Sequence, residues 1–412
     1  MKFENCKLEL KLKAQSPMIH FQHSQSGATI RASEVKPKLD RFIIEKWKKE
    51  LKVDDVRKLK TSEYSDCFQT KENGNDALQY KMQIYLEEAS KVDDIKKYKI
   101  FYGNMKSDEK KDTEDKECLL FNPTISILCF NSKLQAAIEK YLVEFFLVTN
   151  FGTMQGKGFG SFAPASFSNT EKKLDITQEK TIADYLKSAY SATACYVMRF
   201  ETNDSHEVMF DQIKTFYSVM KSGQNFKGYA RSYIFEYAHK YMNLGNEKAW
   251  LKQEGIAPIA YKAENERKYK NLETAEKKEE KRYIRALLGT GKVIMFKVDS
   301  SPKSEKEPII IKNSAIERVA SPIFFKIVNN VVFIIAKEVP VEVFDKEFDF
   351  QNTSKKGKRS NKKGVIKTPE KGSFDIQDFL KKYVEYYNSN DEDGLRRKIY
   401  NVQKNKKVVE IR

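Results

Sequence analysis

Leu8, Leu10 and Leu12 alternate with charged residues near the start of the chain, the period of a strand with one buried face. A polar loop, SPMIHFQHSQSGAT, leads into ASEVKPKLDRFIIEKWKKEL. There Val35, Leu39, Phe42, Ile43 and Trp47 fall on one face of a predicted helix, with Ser33 as its N-cap and Pro37 in its early turn. Met82, Ile84 and Leu86 alternate again as a strand. Residues 106–117 are nearly all charged and predict a solvated loop. CLLFNPTISILCF is a further strand, and NSKLQAAIEKYLVEFFLVTN a helix capped by Ser132. Gly152–Gly160 is a glycine-rich loop, followed by a short strand in GFGSFAPASF. The order strand–helix–strand–strand–helix–strand is that of a ferredoxin-like, or RRM-like, unit.

The second half reads less regularly. ATACYVMRFE predicts a strand, and HEVMFDQIKTFYSVMKSG a helix ended by Gly223. Residues 263–286 carry dense mixed charge with few apolar positions and predict a solvated, arm-like helix. GKVIMFKV is a strand. PIFFKIVNNVVFIIAKEV is a hairpin turning at Asn329-Asn330, and FDIQDFLKKYVEYYN a final amphipathic helix. The fold class expected is α+β: two tandem ferredoxin-like units, residues 1–172 and 189–412, with a charged helical insertion in the second. SKKGKRSNKKGVIK predicts a mobile basic loop at 354–367, with seven Lys/Arg and no acid.

Composition narrows the function. At 412 residues, about two or three domains are expected. Lys+Arg number 75 against 58 Asp+Glu, a net charge of +17, which favours a polyanionic partner, nucleic acid first. No apolar run approaches the roughly 18 residues of a membrane span, and the first residues lack the apolar core of a signal peptide, so a cytoplasmic protein is expected. The five cysteines form no CxxC pair and read as reduced thiols, with no metal site and no cofactor. Only four histidines are present.

The sharpest local feature is NFGTMQGKGFGSF. Gly152, Gly156, Gly158 and Gly160 allow positive φ and close backbone approach, and successive amides in such a loop can cradle phosphates. Lys157 adds charge, and Phe159 offers a stacking surface. The spacing is not that of a Walker A loop, and the helix–loop–strand order reverses a dinucleotide fingerprint. GTGK at Gly289–Lys292 precedes a strand and reads as a turn. Arg31, Lys36, Lys38 and Arg41 concentrate positive charge at a loop and helix start, a natural phosphate contact. In FKGYARSYIFEYAHKYM, Tyr229, Arg231, Tyr233 and Lys240 interleave rings with charge, whereas Ile234, Tyr237 and Tyr241 have core spacing. Arg318 stands before a strand in IERVASPIFFKI. His20 and His23 are the alternative acid–base candidates.

Together these pieces resemble the RAMP superfamily, the RNA-binding subunits of CRISPR effector complexes. NFGTMQGKGFGSF is similar to that family's G-loop, GATIRASEVKPKLDRF to its Arg-bearing first-helix element, and RVASPIFFK to a later strand of type III subunits. The nearest resemblance is to the first RAMP subunit of type III-B (Cmr) complexes. It implies a non-catalytic role in antiviral defence: binding guide RNA or the guide–target duplex beside other RAMP subunits, with no small-molecule substrate and no membrane. The alternative is a metal-independent endoribonuclease that processes guide RNA precursor, with His20 or His23 as acid–base residue and Lys157 or Arg31 stabilising the phosphorane. An interaction protein without RNA ranks last.

Overall fold

The computed structural model describes residues 6–19, 29–70, 76–86, 91–94, 98, 117–167, 178–224, 230–259, 279–298, 305–354, 359–390, 395 and 406–412. The first half contains β1 (Lys7–Ala14), α1 (Ala32–Leu51), β2 (Lys81–Leu86), β3 (Pro123–Leu128), α2 (Ser132–Val148) and β4 (Phe162–Phe167). The four strands form one antiparallel sheet in the order β2–β3–β1–β4. Leu8, Leu10 and Leu12 face a core with Val35, Leu39, Ile43 and Trp47 of α1, as their spacing predicts. Two caps differ from expectation. Arg31, in extended conformation, precedes α1, so Ser33 lies inside the first turn. Asn131 rather than Ser132 caps α2, its Oδ1 accepting from the Leu134 amide at 2.9 Å; an amide oxygen serves that position as well as a hydroxyl.

Next in the chain come α3 (Glu179–Tyr190), β5 (Cys195–Arg199) and α4 (His206–Lys221). β6 (Val293–Lys297), β7 (Lys306–Lys312), β8 (Ile323–Val328), β9 (Val331–Ala336), β10 (Glu347–Asn352), β11 (Lys363–Lys367), α5 (Ile376–Asn388) and β12 (Val409–Glu410) follow. β8–β9–β5–β12 is a second antiparallel sheet. Relative to chain order it repeats the first: second, third, first, fourth. A helix again follows its first strand (α4) and its third (α5). The predicted hairpin is present, with Asn329 and Asn330 at φ +49° and +61°, the left-handed pair of a type I′ turn.

This second sheet is buried on both faces, which accounts for its unbroken apolar strands. One face (Phe325, Ile327, Val332 and Ile334) packs with Phe216 of α4 and Tyr383 of α5. The other (Cys195, Val197, Phe324 and Phe333) packs with Leu186 of α3 and with Leu147 and Val148 at the end of α2. The two halves therefore share a core. All five cysteines are free and buried.

The expected helical insertion is corrected in part. Most of 263–286 lies outside the described residues, but its end is a short strand, Glu280–Arg282, and a 3-10 turn. The insertions also carry a third antiparallel sheet, β6–β7–β10–β11, with its own core of Phe296, Ile309, Ile311, Phe348 and Phe350. Residues 355–358 of the basic loop lie outside the described residues, and β11 takes up its end. No helix among the described residues is long and apolar enough to cross a membrane.

Candidate nucleic-acid interface

The glycine-rich loop joins α2 to β4 and lies between the two halves. Its amides are engaged within the protein. Gly152 N–H donates to Glu34 Oε1 at 2.9 Å, Thr153 to the Ile19 carbonyl, Lys157 to Met154, Gly160 to Pro17 and Ser161 to Ser16 Oγ. These amides are unavailable as the phosphate cradle expected from the sequence. The loop also pairs with β8: Asn150 Nδ2 donates to the Phe325 carbonyl at 2.8 Å, the Phe325 amide to the Gly156 carbonyl, and Ser161 Oγ to the Ile327 carbonyl. Phe159 is 1% exposed and stacks on Phe210 at 4.0 Å, so its ring fills the core and offers no surface to a base.

Two glycines are sterically required. Gly160 has φ +65°, and a Cβ there would lie 1.9 Å from the Phe151 carbonyl oxygen; at Gly152, φ +79°, it would lie 2.4 Å from that of Ile19. At Gly156 a Cβ would meet nothing within 4 Å. Gly160→Ala is therefore expected to destabilise by about 2–3 kcal/mol and Gly156→Ala by less than about 1 kcal/mol. Denaturant melts of the two variants check this, and equal stability would refute the close approach.

The first-helix cations divide. Lys36 Nζ donates to Asp40 at 2.7 Å and to the Leu78 carbonyl at 2.9 Å, and lies 4.1 Å from the Tyr80 ring centroid. Lys38 Nζ donates to Glu34 (2.9 Å), the Asn150 carbonyl (3.2 Å) and Gln155 Oε1 (3.1 Å). Lys36 and Lys38 are thus engaged inside the fold, and Lys38 with Glu34 bolts the glycine loop to α1. Arg31 and Arg41 remain exposed at its surface. His20 and His23 lie outside the described residues.

A different group of cations forms behind the loop. The Lys157 ammonium is buried without an acceptor and sits 2.7 Å from the centroid of the Tyr217 ring. Burial, and then the charge of Lys221, pushes its pKa well down. Lys221, in the last turn of α4, donates to the carbonyls of Leu288 (3.0 Å) and Gly289 (2.6 Å). Burial and then Arg285 lower it to about 7, against the raising effect of Glu247. Arg285 donates its Nε to the fully buried Glu247, which also accepts from the Ile284 amide at 3.0 Å. Its Nη2 is buried without a partner. Lys248 is exposed beside them, within reach of the charges of Arg285 and Glu247.

Arg318 adds its charge at Lys221 and Arg231 at Lys248. Of the residues expected from the sequence, the fold therefore gathers Lys157, Arg231 and Arg318 and leaves the first-helix set elsewhere. Lys221, Lys248 and Arg285 had no sequence signal beyond their charge; only the turn at Gly289, read from GTGK, marks the place. Two N–H groups in this cluster, Lys157 Nζ and Arg285 Nη2, are buried without a hydrogen-bond partner. Farther along, Tyr233, Ile234 and Tyr237 are core, but Tyr241 is 46% exposed. The turn Ala238–Met242 is π-helical, and its wider winding carries Tyr241 off the buried face.

Comparison with known proteins gives the chain a family. No curated protein matches it. Among solved structures it is similar to Cmr1 from Pyrococcus furiosus in its apo form, with 10% identity and TM-score 0.41, covering 81% of this chain and 88% of that one. It is also similar to a chain of the type III-B Cmr-beta complex bound to cognate target RNA, with 9% identity and TM-score 0.25, covering 39% and 59%. The family models are decisive. The Cmr1 N-terminal domain matches residues 5–224 and the Cmr1 C-terminal domain residues 229–407, so the chain belongs to the Cmr1 family, one of the RAMP proteins of type III-B effector complexes.

Proposed function

We propose that this subunit holds guide RNA or the guide–target duplex without cleaving it, and that its phosphates run over the cation cluster. The observation that carries this reading is the clustering of Lys221, Lys248, Arg231, Arg285 and Arg318, whose charges act on one another around the buried Glu247. In this reading Lys157, Arg231 and Arg318 keep the role expected from the sequence, and Arg31 and Arg41 extend the basic path. Gly152, Gly158, Gly160 and Phe159 act indirectly, by seating Lys157. The chain is read as two tandem ferredoxin-like units, about 1–172 and 189–412. The repeated strand order of the first two sheets supports this. Guide RNA, target RNA and other RAMP subunits are the partners, and the cytoplasm is the compartment.

The test is purification of the chain with its complex at moderate salt, sequencing of the bound RNA, and titration of that RNA with wild type and Arg285→Met. Uniform guide RNAs and a loss of roughly tenfold in affinity, with the slope of log K against log salt shallower by about one, are expected. Absence of RNA, or an unchanged slope in a folded variant, would overturn the reading. Cleavage of guide precursor in EDTA that His20→Ala or His23→Ala abolishes would establish the enzyme alternative.

A further inference from the structure

The third sheet has an outer face that its own core does not use. Strict alternation turns Phe296, Ile309, Ile311, Phe348 and Phe350 inward. The opposite positions are not uniformly polar. Met295 is 52% and Val365 51% exposed, and Pro308 and Ile310, in the strand between β6 and β10, are half-buried on the same side. Around them stand the exposed Lys297, Lys306, Lys312, Lys363 and Lys367, against the acids Glu347 and Asp349. Glu347 pairs with Lys367 at 3.6 Å, and Asp349 stands opposite Lys312 in register. Lys297 stands directly opposite Lys306, a like-charge cross-strand pair that destabilises the sheet left alone. Among the described residues neither has an ion pair.

Val293, Met295, Pro308 and Ile310 form one apolar strip along β6 and β7, bordered by Lys297 and Lys306, whereas Val365 stands apart on the opposite edge strand; an apolar strip with a charged border is the anatomy of a protein interface. We propose that this face docks a second protein, one presenting an apolar centre with acids placed against Lys297 and Lys306. That this protein is another subunit of the effector complex rests on the function proposed above. The face has no aromatic ring and no arginine, so it lacks the groups that stack on bases or fork onto phosphates. A second copy of the same face would offer Lys297 and Lys306 only Glu347 and Asp349, which already stand against Lys367 and Lys312. An acidic protein surface satisfies both the apolar strip and the two lysines that lack an ion pair among the described residues.

The experiment uses the full chain, tagged, produced together with the other complex subunits and guide RNA, as wild type, Met295→Glu and the double variant Lys297→Glu/Lys306→Glu. Both variants place charge at exposed positions, and thermal melts verify their folding. The expected result is a drop of roughly tenfold or more in subunits recovered with the tag, while the isolated variants bind RNA as wild type does. Undiminished recovery would overturn the proposal. So would lost RNA affinity with assembly intact, which would make this a nucleic-acid face, or loss of self-association alone, which would make it a homotypic one. If wild type binds no RNA but the variants still lose their partners, the RNA reading fails and the docking face stands.

Discussion

Lys326→Ala is expected to lower the unfolding free energy by about 3–5 kcal/mol, among the largest losses from any single side chain of this protein. Lys326 lies in the middle of β8, is wholly buried, and donates to the carbonyls of Phe146 (2.7 Å), Thr149 (2.8 Å) and Phe162 (3.2 Å). Phe146 belongs to the last turn of α2 and Phe162 begins β4, so one ammonium of the second half ties down the end of a helix and the start of a strand in the first. Burial alone pushes the pKa well down. Opposing it, three acceptors match the three N–H bonds of the ammonium, and the negative end of a helix dipole favours its charge. Removing the side chain leaves carbonyls buried without donors and opens a cavity between the halves. Lys326→Met fills most of that cavity and still orphans the carbonyls, so it separates packing loss from hydrogen-bond loss. Both variants should melt below wild type, with Met the less affected. A melting curve of Lys326→Ala superimposed on that of wild type would refute the role.

Lys326 also marks the limit of what the sequence discloses. The strand PIFFKIV was legible from its β-branched and aromatic run, and its hairpin from Asn329-Asn330. A lysine inside such a run reads as an edge charge as long as its acceptors are unknown, and those acceptors lie some 160–180 positions earlier in the chain. β1 and α1 were legible because each has one buried face and so shows a clean period, and β3 because of its β-branched and apolar run. Of the third sheet only GKVIMFKV was legible, because KEPIIIK opens on two charges and a proline, EFDFQN is short with charge at alternate positions, and the strands pair across two separate insertions. The site divided in the same way. The glycine loop was visible by composition, but its use was misassigned. Positive φ and close approach serve equally a phosphate or another backbone, and here the backbones of Ile19, Phe151 and β8 take the space.

That loop and the cation cluster are one construction. Glu34 and Lys38 fix the loop from the first half, β8 pairs with it from the second, and the segment between them carries Lys157 to the ring of Tyr217. Surface lysines attract RNA from any direction and are screened by salt. A cation held between two halves is screened less.

The pH dependence of RNA binding tests this directly. Lys221 titrates at about 7 in the free protein, because burial and Arg285 disfavour its charge. A bound phosphate favours the ammonium and raises that value, so binding takes up a proton once the pH exceeds about 7. Affinity is therefore expected to be full below about pH 6.5 and to fall by roughly tenfold per pH unit above about 7.5. Lys221→Arg, always charged, should flatten the profile at the high-affinity end, and Lys221→Met should flatten it at the low end. Stability moves the opposite way. The folded value of about 7 lies below the ordinary lysine value of 10.5, so the unfolded chain holds the extra proton between them, and the free protein gains stability from this group as pH rises through that window. Lys221→Met should remove this gain. Filter-binding affinities and denaturant midpoints at pH 6, 7, 8 and 9 read both effects. A wild-type affinity that stays level across this range would place the phosphates away from Lys221.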